Sequence, residues 1–71
     1  MNISIVLDEN HRQYGKAHKT GCRDITKTDQ ESLGDIATYA QLAQAIVDAT
    51  GWDRNEDEAR ADCAPCVRLE A

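Results

Sequence analysis

Two pairs of soft metal donors lie far apart in this sequence: His18-x3-Cys22 and Cys63-x2-Cys66. Thiolates and neutral imidazole are the donors that Zn2+ prefers, in a tetrahedron at about 2.0–2.3 Å. A CxxC lets one turn present two sulfurs to the same ion, and HxxxC does likewise at slightly longer reach. If the tail folds back onto the upstream pair, His18, Cys22, Cys63 and Cys66 form a Cys3His shell. Four protein donors close the coordination sphere, so the expected zinc is structural. The 40 residues between Cys22 and Cys63 exceed most compact zinc-finger spacings. The competing view has the cysteines as small buried hydrophobes and His18 at the surface.

Size favours a staple. Seventy-one residues make one small domain, 1–71, with twelve Ile, Leu and Val residues and no phenylalanine. Below about 70–80 residues a single core supplies only a few kcal/mol, and metals or disulfides often supply the rest. No basic region followed by an apolar stretch opens the chain, and no apolar run approaches the roughly 18 residues of a membrane span. A reducing cytoplasm is therefore expected, where CxxC pairs serve as metal ligands or redox groups.

Cys63-Ala64-Pro65-Cys66 resembles the dithiol of thioredoxin-like proteins, which implies thiol-disulfide exchange. In that family the pair opens a helix after a strand, and no helix is predicted beyond Cys66. Thr38-Tyr39-Ala40-Gln41-Leu42-Ala43-Gln44-Ala45-Ile46 resembles the first helix of helix-turn-helix domains. That resemblance implies a basic recognition helix next, whereas Trp52-Asp53-Arg54-Asn55-Glu56-Asp57-Glu58 is acidic. Ser4 and Ser32 lack motif context, and His11 and His18 have no assigned carboxylate partner. Glu56 and Glu58 suit a solvated face better than a general acid/base pair. The expectation is a protein that is not an enzyme.

The net charge of -5 is uneven. Residues 1–27 carry five Lys or Arg against three acids, and residues 28–71 carry three against ten. An acidic chain repels phosphate backbones, which disfavours nucleic acid as a partner. It suits instead a binding module, an inhibitor or a DNA-mimic-like protein that docks on a basic surface of another protein. Asp53, Glu56, Asp57, Glu58 and Asp62 are the candidate partner-binding residues. The first alternative is a nucleic-acid-binding zinc module using the basic segment 12–27. The second is a thiol-disulfide protein using Cys63 and Cys66.

The elements that must position these residues are an α+β set. Ile3, Ile5 and Leu7 alternate over a strand at 2–7. Residues 12–18 return as a second strand, and the tail, with Val67 and Leu69 alternating, adds an edge strand. Gly21 suits a tight turn beside Cys22. Residues 23–27 are expected as a short extended piece, 28–35 as a polar connector, and 53–62 as a short solvated helix or a loop. The clearest element is a helix over 38–50. Thr38 and Gln41 form a capping box, apolar positions recur at helical spacing, and Gly51 closes the end. The small antiparallel sheet packs on that one amphipathic helix.

Overall fold

Strand β1 (Asn2–Val6) is the middle of a three-stranded sheet, flanked by β2 (Ala17–Lys19) and β3 (Gln30–Asp35), both antiparallel to it. The computed structural model describes residues 1–70, so Ala71 lies outside the described residues. Ile3, Ser4, Ile5 and Val6 are all buried, so β1 is covered on both faces. Alternation assigns the faces. Ile3 and Ile5 join Ala17, Leu42, Ala43 and Ile46 in the main core. Ser4 points the other way, opposite His18, and its hydroxyl meets that of Thr20 at 2.9 Å.

Helix α1 (Tyr39–Thr50) carries the inner face. The Thr38 hydroxyl accepts from the Gln41 amide at 3.2 Å. The Gln41 side chain reaches one residue past the cap and accepts from Ala37 N–H at 2.8 Å rather than from Thr38 N–H. The expected box thus closes offset by one residue, and of these two donors the Gln41 amide is the one that belongs to the helix's first turn. Leu42, Ala43 and Ile46 are buried at the i, i+1, i+4 spacing of one helical stripe. Gly51, at φ 77°, returns its amide to Val47 C=O and ends the helix. Helix α2 (Glu56–Ala61) follows, opened by a reciprocal capping box of Asn55 and Glu58.

The α+β class, with a small antiparallel sheet on one main helix, is what the structure shows. Its third strand comes from another stretch than expected. Residues 30–35 pair with β1, whereas the tail makes only single parallel bridges, Ala17 to Cys63 and Thr38 to Glu70. Pro65 has no N–H to continue a ladder, and Val67 N–H closes a turn onto Ala64 C=O. The second strand narrows from 12–18 to 17–19 because residues 8–16 form successive turns. His11, Tyr14 and Lys16 donate to Asp8, His11 and Gln13 carbonyls there. Residues 23–25 are a 3-10 turn rather than an extended piece, and it buries Ile25.

Candidate metal centre

His18 stands on β2, on the sheet face opposite α1, and is 1% exposed. The chain leaves β2 through a turn in which Cys22 N–H donates to Lys19 C=O at 2.9 Å. Gly21, third in that turn with φ 86°, adopts a conformation that favours glycine. The turn returns Cys22 to His18. Cys66 arrives from the tail, which runs along the free edge of β2. Ala17 donates to Asp62 C=O at 3.0 Å, and Ala64 donates to Ala17 C=O at 2.9 Å. One step along, Lys19 N–H donates to Cys66 Sγ at 3.3 Å. The sulfur thus takes the place that a neighbouring strand's carbonyl would occupy.

The donor atoms of His18, Cys22 and Cys66 lie within 4.8 Å of one another, a group that could hold a metal ion. Cys66 Sγ and His18 Nδ1 are 3.7 Å apart. An ion at about 2.0–2.3 Å from tetrahedral N and S donors sets them roughly 3.4–3.8 Å apart, so this edge already fits. The remaining imidazole nitrogen is also engaged: His18 Nε2 faces Gln13 Oε1 at 3.3 Å. Donation to that oxygen places the proton on Nε2 and leaves the Nδ1 lone pair directed at the sulfur pair. Gln13 is itself held, its backbone N–H donating to His11 Nδ1 at 3.0 Å.

Burial governs the electrostatics of the group. Burial lowers the His18 pKa, partly offset by the Asp24 carboxylate, with Lys16 and His11 lowering it further, so the ring is disposed to be neutral. Burial pushes the Cys66 thiol up. The Lys19 amide pulls it back, and the neighbouring Cys22 thiol pushes it up again. A divalent ion between the sulfurs would reverse that balance by stabilising thiolate directly.

Cys63 is placed differently from the other three expected ligands. Its sulfur is outside the group and donates to Ala59 C=O at 3.3 Å. Burial, then Asp62 and Cys66, raises its pKa from the ordinary 9.0 to about 11. Gln13 and the Lys19 amide are the supporting groups that sequence patterns left unmarked; only the glycine turn at 19–22 signalled one of them.

The five candidate partner-binding acids divide into two kinds. Glu58 accepts from Asn55 N–H at 3.0 Å, and Asp62 pairs with Arg54 at 2.9 Å. Asp53, Glu56 and Asp57 are exposed, and among the described residues no ion pair engages them. Beside them an open recess of about 440 Å³ is lined by Tyr14, Gly15, Trp52, Asp53, Arg54 and Asp62. Tyr14 and Trp52 meet edge to face at 5.6 Å, and the Arg54 guanidinium lies 5.6 Å from the Trp52 ring. No helix is long and apolar enough to cross a membrane among the described residues. No family model, curated protein or solved structure matches the chain.

Proposed function

We propose that this chain is a non-enzymatic binding module in which zinc pins the tail to β2 and the acidic side docks on a basic surface of a partner protein. The observation that carries the reading is the convergence of His18, Cys22 and Cys66 within 4.8 Å. Two thiolates and one imidazole are a soft and borderline set that suits Zn2+ over Mg2+ or Ca2+, which take oxygen donors. The ion would join residues 18 and 66, so its binding energy would become energy for holding the tail. The acidic side rests on the net charge of -5 and on exposed Asp53, Glu56 and Asp57, which no ion pair engages among the described residues, Asp53 also lining the aromatic recess.

A two-part experiment tests this. Native mass spectrometry of the untagged protein should show one zinc per chain, lost to a chelator with a partial shift toward higher charge states as the tail is freed. An arginine-rich peptide titrated into labelled protein should shift the amides of residues 53–62, with an affinity that falls steeply as salt rises. Shifts elsewhere, or binding indifferent to salt, would remove the docking half.

One observation favours a second reading. Arg12, Lys16, Lys19, Arg23 and Lys27 are all exposed, and two of the metal donors, His18 and Cys22, lie within their segment. A zinc module that contacts phosphate through residues 12–27 would gel-shift labelled single- or double-stranded probes. A thiol-disulfide role for Cys63 and Cys66 has less support, because Cys66 shares its donor group with Cys22.

A further inference from the structure

The chain brings three donors together and leaves Cys63 out, and backbone geometry explains why. Cys63 bridges Ala17, a residue of the helix-side core. Bridge partners project to the same side of a sheet, whereas His18, next along β2, projects to the other. To join the group, Cys63 Sγ would have to leave Ala59 C=O and swing around the β2 edge. Asp24 is exposed on the 3-10 turn and does not belong to the group, and His11 Nδ1 is occupied by the Gln13 backbone N–H. Cys22 and Cys66 are partly exposed, so the centre opens to solvent on their side.

We propose that a tetrahedral ion held by His18, Cys22 and Cys66 takes its fourth donor from another molecule, a thiolate or an imidazole, and so serves as a point of attachment. This rests on the metal reading above. Two thiolates and a neutral imidazole cancel the charge of a divalent ion, leaving a neutral centre. Exposed Lys19 and Arg23 adjoin His18 and Cys22 in the chain, while the Asp24 carboxylate opposes Lys16 at His18, so the centre admits either a thiolate or an imidazole.

Cobalt(II) in place of zinc makes the coordination visible, because thiolate charge-transfer bands count sulfurs and ligand-field bands report geometry. Wild type, Cys63→Ser and Asp24→Asn should give one shared spectrum with two thiolates. Added 2-mercaptoethanol should saturably introduce a third thiolate band, and added imidazole should shift the visible bands. Native mass spectra should hold at one metal per chain throughout. A lost thiolate band in Cys63→Ser would overturn the proposal, as would shifted visible bands in Asp24→Asn. So would a wild-type spectrum indifferent to both added donors, or a metal-dependent dimer that ignores them. A wild-type sample showing only free cobalt is a different failure, and it removes the metal reading underneath.

Discussion

The two faces of the sheet are held by different means. Toward α1, Ile3, Ile5 and Ala17 meet Leu42, Ala43 and Ile46, and burial alone suffices. Away from it, His18 shares the face with Ser4, whose hydroxyl meets Thr20, and the tail reaches His18 through Cys66 rather than through an apolar side chain. Six of the eight buried Ile, Leu and Val side chains belong to that helix-side cluster, and Val6 and Ile25 lie outside it. The second face combines Val6, which alternation places on the side of Ser4, with hydrogen bonds and the side chains of His18 and Cys66. A small chain can thus close one side of its sheet with hydrocarbon and the other with a mixture of hydrocarbon and polar groups that respond to conditions.

That contrast is breakable at named positions. Cys66→Ser should have the largest effect, removing the metal-linked part of stability, about 4 kcal/mol at a free metal concentration of roughly 1,000 times Kd. Its melting temperature should match that of wild type once a chelator is added to both. Ile46→Ala should cost about 3 kcal/mol by opening a cavity on the inner face. The loss, read from urea midpoints, should be the same with and without metal. An unequal loss would mean that the two faces are not independent.

Gly51→Ala tests the helix stop that delivers α1 to the inner face. No atom lies within 4 Å of the added Cβ, so the φ of 77° alone sets the penalty, about 1–2 kcal/mol in denaturant midpoint. The smallest effect belongs to Cys63. Its folded pKa of about 11 lies above the ordinary 9.0, so the folded state holds the proton more tightly. The resulting stabilisation is fully present below about pH 9 and fades as pH rises through about 11. In metal-free protein, Cys63→Ala should show a shallower fall in urea midpoint between about pH 8 and 10.5 than wild type does.

Helix α1 was legible because three independent signals coincide in one stretch: Thr38 and Gln41 at the start, the apolar stripe, and Gly51 at the end. β1 was legible through Ile3, Ile5 and Leu7. β3 was not, because Gln-Glu-Ser-Leu-Gly-Asp lacks alternation. Its register slips by one residue at Leu33, where Gly34 has φ 82°, and a bulged strand loses the period that identifies it. The donor types and the meeting of the tail with His18 were visible as spacing. Which tail cysteine faces the imidazole was not, since that depends on the backbone pairing of Cys63 with Ala17. The supporting role of Gln13 depends on the turns at 8–16, which leave no pattern at the distance of His18.

The tail covers the outer edge of β2, and at Lys19 the cover is a sulfur atom. If the donor group holds an ion as proposed, a chain that loses it has a failure mode short of unfolding. Released from Cys66, the tail would uncover the amides of Ala17 and Lys19 while β1 and α1 stay in place. A bare strand edge is a template for another molecule's strand. β3, the opposite edge, is guarded by its bulge and by exposed Glu31 and Asp35, whereas β2 has no bulge and exposed Lys19 is its one charged guard. Chelation should accordingly raise light scattering with a steep dependence on protein concentration, before the helical signal falls. In this protein, metal scarcity would be felt first as stickiness.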